Sequence, residues 1–319
     1  MLRILQREEW QEAILKNRDL NINEESAFID VLRNLTSLDP VYFIYQANNK
    51  AIISFIAYTK GEQIRHPSHF FYSAFWIENN LSDTQYCQYL YEFISALVKQ
   101  YDTIEIKLPI DVLDIRPFLW NKFSITNYYT YIKKLDKLDY HSVTEKNIRK
   151  VKKLGYTCVR EKMNGESLNV NLQLFSDLKV YGKRKIANIG KLMMALSGQG
   201  YLESFNCYKD DELIASNLIL LDEKFKIAYT LLLNKTSRIN KDDVHSLLHD
   251  FFFTQLKEDG YSYVDLLGAD MKNIASFKSR FKTDLKPHFL VRYNKRKVYI
   301  DNGVDKIKSL AKLILKRFT

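Results

Sequence analysis

Two stretches of the chain share one pattern of apolar and polar positions. Residues 41–58, VYFIYQANNKAIISFIAY, are two apolar runs separated by the polar Asn48-Asn49-Lys50. Residues 203–220, ESFNCYKDDELIASNLIL, repeat this with Lys209-Asp210-Asp211 at the tip. Apolar runs of this length around a short polar tip predict a β-hairpin in each. A further strand is predicted after each hairpin, over HFFYSAFWI (69–77) and FKIAYTLLL (225–233). Helical spacing comes next. Tyr86, Leu90, Phe93, Ile94 and Leu97 recur on one face of 86–100, and Val244, Leu247, Leu248, Phe251 and Phe252 on one face of 244–257.

The correspondence continues to the end of each stretch. YDTIEIKLP (101–109) matches YSYVDLLGA (261–269), IRPFLWNKF (115–123) matches IASFKSRF (274–281), and NYYTYIKKL (127–135) matches KPHFLVRYN (286–294), all about 160 residues apart. Several elements in the same order at one offset indicate an internal repeat. Each copy reads β–β–β–α–β–α–β, with a helix before the hairpin: within Glu24–Leu35 in the first copy, and over 167–179 or 184–197 in the second. Strands alternating with helices predict an α/β fold of α+β mixed sheets. The copies divide the chain into an N-terminal domain, 1–140, a C-terminal domain, 141–302, and a tail, 303–319. Near the junction, Ser142 and Glu145 have the spacing of a capping box for a basic helix that runs to about Lys153 and stops at Gly155.

Composition narrows the function classes. The chain has 319 residues, 46% hydrophobic and 27% charged, an ordinary globular mixture. Three cysteines with no C-x-x-C pair argue against a disulfide framework or a structural zinc site and for a reducing, cytoplasmic setting. Charges interrupt the N-terminal stretch too often for a signal peptide, and no apolar run reaches the length of a membrane span. The net charge of +10 is concentrated in 133–162 and 272–319, which points to an anionic partner near those segments or to a solvated basic surface.

The element order, given twice, resembles the GNAT acyltransferase fold in tandem, as in the Fem-type peptidyltransferases. Three segments carry the resemblance: IRKVKKLGYTCV (148–159), VHSLLHDFFFTQLKEDGYSYVDLLGAD (244–270) and IASFKSRFKTDLKPHFLV (274–291). It implies transfer of an acyl or aminoacyl group to an amine, less often a hydroxyl, of a cell-envelope glycan or peptidoglycan precursor. The donor would be aminoacyl-tRNA or acyl-CoA, bound as a substrate and not as a tight cofactor. An acyl-CoA-dependent N-acyltransferase on a sugar or small amine is the alternative within the class. A non-catalytic binding module with the same fold is the alternative outside it. Ordinary GNAT domains hold the coenzyme A pyrophosphate on a glycine-rich loop at a helix N-terminus. Here the corresponding loops, 77–83 and 234–241, contain no glycine. The first carries Glu78 and Asp83, which repel phosphate, so the first copy reads as non-catalytic or acceptor-binding. The second keeps Lys235, Arg238 and Lys241 as candidate donor contacts.

Acyl transfer needs a polarised carbonyl and a base for the acceptor's proton. Lys278 and Arg280 flank Ser279 on the predicted last helix, whose Phe277 and Phe281 face the core. The resemblance makes Lys278 a candidate to polarise the carbonyl or contact a phosphate, and Arg280 a substrate contact; a solvated helix face is the other reading. Asp265 and Asp270 are candidate proton acceptors at a strand's carboxyl end, where ligands of open α/β sheets gather, although Asp270 could instead cap the helix near Asn273. Lys183 and Arg184 are candidate acceptor-phosphate contacts or a surface basic run, and Tyr229 a cleft residue or a packing tyrosine. His245 and His249, four apart, lack a third ligand at a recognised spacing, so no metal site is expected. The basic helix at Arg149–Lys153 is either a linker or a contact for an anionic partner such as tRNA or a phosphorylated glycan precursor. The tail 303–319 puts Ile307, Leu310, Ile314 and Leu315 on one stripe and lysines on the other, the pattern of a helix on an anionic membrane or docked on the protein body. Peripheral contact with the inner membrane face would suit a lipid-linked acceptor.

Overall fold

The computed structural model describes residues 1–67, 70–179, 181–236 and 243–301. The tail 303–319, with its membrane reading, therefore lies outside the described residues, as do Arg238 and Lys241. In chain order the elements are β1 (Leu2–Leu5), α1 (Arg7–Leu15), α2 (Ser26–Thr36), β2 (Asp39–Ala47), β3 (Lys50–Thr59), β4 (Gln63–Arg65), β5 (Ala74–Ile77), α3 (Asp83–Gln100), β6 (Thr103–Lys107), α4 (Arg116–Trp120) and β7 (Ser124–Lys134). The second copy follows with α5 (Ser142–Lys152), β8 (Thr157–Lys162), α6 (Gly165–Asp177), α7 (Lys183–Gly198), β9 (Leu202–Lys209), β10 (Glu212–Asp222), β11 (Ile227–Lys235), α8 (Val244–Glu258), β12 (Tyr263–Asp265), α9 (Lys272–Ser279) and β13 (Asp284–Asn294). Among the described residues no helix is long and apolar enough to cross a membrane.

The repeat is visible in local chemistry. Both hairpins turn on two residues in the left-handed region, Asn48 and Asn49 (φ 50° and 61°) and Asp210 and Asp211 (φ 51° and 63°). Two consecutive positive φ values make the turn that matches strand twist, and Asn and Asp tolerate them best after glycine. Two expectations change. His141, not Ser142, precedes α5, and it makes no side-chain cap, so the predicted capping box is not formed. Of the strand predicted over 69–77 only Ala74–Ile77 forms, as β5, and a separate short strand, β4, precedes it.

The chain packs as two compact units that are discontinuous in sequence. One comprises 1–18, 38–127 and 288–319, and the other 19–37 and 128–287. The division at 140 is thus a division of the repeat, whereas the packed units share out its pieces differently. In the first unit the strands run β1-β2-β3-β4-β6-β13, with β5 also on β3. In the second they run β8-β9-β10-β11-β12-β7. The connectivity is the same, but each sheet is closed by the last strand of the other copy: β13 lies antiparallel to β6 through Leu290↔Lys107, and β7 antiparallel to β12 through Ile132↔Asp265.

The first unit packs Phe43, Phe55, Phe75, Phe93 and Phe118 between its sheet and α3, all but solvent-free. Trp10 anchors α1 by donating to the carbonyl of Phe43 at 2.9 Å. In the second unit, α5 and α8 cover one sheet face with Val151, Leu248, Phe252 and Phe253, and α6 packs on β10. Cys158 and Cys207 are direct cross-strand partners on β8 and β9, both as free thiols. Sequence spacing gave no hint of that pairing.

Residues 19–37 join the second unit through a buried carboxylate. Asp222, at the end of β10, accepts from the amides of Ile22 and Phe225, both at 3.0 Å. Tyr201 adds a 2.8 Å bond to Glu25 and an edge contact with Phe28. An Asp222→Ala substitution removes both acceptors and leaves a buried amide unpaired, so it is expected to destabilise the segment by about 2 kcal/mol. Limited proteolysis should then cut 19–37 before the rest of the chain; a cleavage order unchanged from wild type would refute this anchoring.

Candidate functional site

In the second unit, β11 and β12 share only three rungs, Ile227↔Tyr263, Ala228↔Val264 and Tyr229↔Asp265. Beyond Tyr229, β11 continues to Lys235 against β10 alone, with a bulge opposite Leu218/Ile219. Beyond Asp265 the chain leaves β11 and follows β7: the amide of Leu266 donates to the carbonyl of Tyr131 at 2.8 Å and that of Ala269 to Tyr129 at 2.9 Å. Two predicted residues, Tyr229 and Asp265, therefore face each other on the last shared rung. Past it, the edge of β11 turned away from β10 has no strand partner among the described residues. Backbone N–H groups on such an edge need another acceptor.

The turn after Asp265 is clamped from both sides. Leu267 and Gly268 both have positive φ, 47° and 52°, an uncomfortable conformation for leucine. The Asp265 carboxylate accepts from the Leu267 amide at 2.9 Å and, through a short bond, from the Thr130 hydroxyl. Lys278 donates to the carbonyls of Leu266 at 2.7 Å and Gly268 at 2.9 Å and to that of Leu267. All three of its N–H groups are thus directed at the turn. Lys278 is only 9% exposed, which corrects the expectation that it points away from the core. Burial pulls its ammonium down to about 8, while Asp265 and then Asp270 hold it up against further loss. Asp270 is exposed and accepts from the Tyr129 amide at 3.0 Å. It does not cap α9, which begins after Met271 without a side-chain cap.

No family model matches the chain, and no curated protein matches it by sequence. Solved structures do match its shape. FemX aligns over 94% of this chain and 98% of its own, with a TM-score of 0.64 and 11% identity. The C-terminal DUF2156 domain of a putative lysylphosphatidylglycerol synthetase from Agrobacterium fabrum aligns over 91% and 93%, with a TM-score of 0.54 and 10% identity. A tandem GNAT protein from the clavulanic acid biosynthesis pathway aligns over 92% and 98%, with a TM-score of 0.50 and 6% identity. The chain has the tandem GNAT-like fold. At these identities the likeness concerns the fold.

Within this GNAT-like pair the two units differ at one strand. In the second, β11 runs through unbroken. In the first, two short strands take its place, β4 parallel to β6 and β5 antiparallel to β3, with 70–73 between them in the chain. Phe70, Phe71 and Tyr72 are buried there, and the Ser73 amide donates to the Lys107 carbonyl at 2.8 Å. His66 joins them through Ser73 Oγ at 3.1 Å and the Phe70 carbonyl at 3.0 Å, and burial pushes its imidazole down to about 4. A neutral His66 bonded on both ring nitrogens is a packing group at physiological pH.

The other predicted residues scatter. Lys183 and Arg184 are exposed at the start of α7, whose first turn has no acidic residue. Cations there oppose the helix dipole, so they would gain from a bound anion. Asn273 is exposed on α9 and Arg280 is exposed just after it, and the Arg280 carbonyl accepts from the His141 amide at 2.9 Å. Lys235 ends β11 at partial exposure. His249 stacks on Phe281 at 4.6 Å, with its Nδ1 bonded to the His245 carbonyl at 2.7 Å, and burial pulls it down to about 3. The histidine pair serves aromatic packing. Thr130 and Tyr129 escaped the sequence reading because they lie on β7, the strand contributed by the first copy. Asp83, Cys87 and Asp114 also converge, and Arg116 lies on all three, at 2.7 Å from each carboxylate and 3.3 Å from the thiol.

Proposed function

We propose that the protein is an acyl- or aminoacyltransferase whose second unit carries the chemistry, acting on an amine of an envelope glycan or peptidoglycan precursor. The observation that carries this reading is the parting of β11 and β12 beyond Tyr229 and Asp265, which no strand bridges among the described residues. In this reading the acyl carbonyl lies against the free edge of β11, where N–H groups stabilise the oxyanion. The acceptor nitrogen attacks the carbonyl carbon, its proton passes to the exposed Asp270 carboxylate, and the donor's thiolate or alkoxide leaves and takes a proton from water. Lys278 and Asp265 hold the turn that presents Asp270, so they position and do not themselves react. Lys183 and Arg184 receive the acceptor's phosphates, and Tyr229, Asn273 and Arg280 line the approach. Lys235 and Arg238 contact the donor.

A specific observation favours a second reading, a binding module without chemistry: the ammonium and the carboxylate nearest the parting are both spent on the turn. Binding and transfer assays separate the readings. The chain is expected to bind aminoacyl-tRNA with an affinity that falls steeply with salt, or to be retained on immobilised coenzyme A, and to transfer the acyl group from that donor to an amino sugar precursor. Absence of transfer from either donor, with phosphorylated precursor still bound, would leave the module.

A further inference from the structure

The first unit contains a pocket of about 790 Å³ that the chemistry above does not use. It lies beside the ends of β4, β6 and β13 and the turn from α4 into β7. Its volume is in the range of small-molecule sites.

Its charge is one-sided. Arg65, Lys122, Arg292 and Lys297 line it, against the carboxylates of Glu105 and Asp301. Arg292 and Glu105 face each other in the β13–β6 register and pair at 2.7 Å, which neutralises both. Three cations then remain against Asp301. Arg65 is held by a neutral acceptor, the side-chain oxygen of Gln63 at 2.9 Å, so its charge is uncompensated there. Arg292 and Lys297 belong to the basic segment 272–319, which the sequence offers as either a contact for an anionic partner or a solvated basic surface, and the fold joins them to Arg65 and Lys122 from distant positions.

The floor is apolar. Ile64, Ile104 and Phe123 line it with the half-buried Tyr293, whose ring lies 5.4 Å from that of Phe123. Burial raises the Tyr293 phenol, so its hydroxyl stays protonated as a hydrogen-bond donor. A bare metal ion does not suit this set, because one of the two carboxylates is already neutralised. A compact anion alone would leave the apolar floor uncovered.

We propose that this pocket binds an organic phosphate, a phosphorylated small molecule with an apolar or planar body. Arg65, Lys122 and Lys297 take the phosphate, and Ile104 and Tyr293 take the body. The arginine fork suits a phosphate in particular, since two parallel N–H groups match two oxygens. The site belongs to the first unit and stands whether or not the second unit is a transferase.

Calorimetric titration of the full chain with ADP, inorganic pyrophosphate and adenosine tests it. ADP and pyrophosphate are expected to bind, ADP more tightly, and adenosine to give no saturable heat. The variant R65E/K122E/K297E changes only exposed side chains and should fold, as circular dichroism would verify. It is expected to weaken ADP roughly tenfold or more, whereas K191E/K224E, at two exposed lysines of the second unit that have no part in the chemistry above, should leave it unchanged. ADP binding that is equal in the triple variant and wild type, loss of it in K191E/K224E alone, adenosine binding as well as ADP, or no ADP binding at millimolar concentration would each overturn the proposal. Pyrophosphate binding as tight as ADP would overturn the role of the apolar floor.

Discussion

Lys278→Met is expected to lower the unfolding free energy by about 3 kcal/mol, because it leaves three turn carbonyls without their donor and the buried Asp265 without its counter-charge. For units of this size that corresponds to a fall in melting temperature of roughly 6–12 °C. The effect has a pH signature. Lys278 releases its proton at about 8 in the folded protein, against an ordinary value of 10.5. Between those values the unfolded chain holds more protons, so the contribution of Lys278 to stability rises with pH. Its charged form is the less tolerated one when buried, and that penalty is fully present below 8 and gone above 10.5. Urea unfolding of wild type and variant at several pH values should therefore show a gap that widens as pH climbs through this window. A methionine variant as stable as wild type would show that Lys278 does not hold the turn, and a gap independent of pH would show that burial does not penalise its ammonium.

Asp270→Ala is expected to lower kcat by roughly a hundredfold or more in the transfer assay, with a small change in KM, as for removal of a positioned base. Asp270 is exposed, and water can replace it on the Tyr129 amide, so stability should change by less than about 1 kcal/mol. Asp270→Asn separates two roles. It keeps an oxygen for the Tyr129 amide but cannot take a proton, so it should be as impaired as the alanine variant. Recovery of activity in Asp270→Asn would make Asp270 a positioning residue, and full activity in both variants would remove it from the reaction.

These expectations rest on residues that differ in how far the sequence exposed them. Lys278 stands out in the sequence only through a resemblance in its helix, and its burial is not visible there. Counting from Phe277 and Phe281 puts position 278 off the apolar face, yet the carbonyls of 266–268 supply the partners that allow an ammonium to be buried there. Nothing in the sequence links Tyr229 to Asp265, and only strand pairing shows that they share a rung. Thr130 had no sequence signal at all, since it contacts Asp265 across 135 positions. Residues 70–73 fall in the strand predicted over 69–77 because their aromatic run fits a pleated surface equally well.

The sequence by itself determined the elements and their repetition. Alternating polarity, helical spacing and the Asn-Asn and Asp-Asp tips are local, and local preferences act along a few residues of chain. It also made the basic excess of the last segment plain. Tertiary structure alone decided which copy closes which sheet, that β11 and β12 part after Tyr229 and Asp265, and where Arg65, Lys122 and Lys297 meet. Those outcomes depend on which distant backbone edges and buried charges find partners, and burial penalties of that kind arise only once the chain has folded on itself.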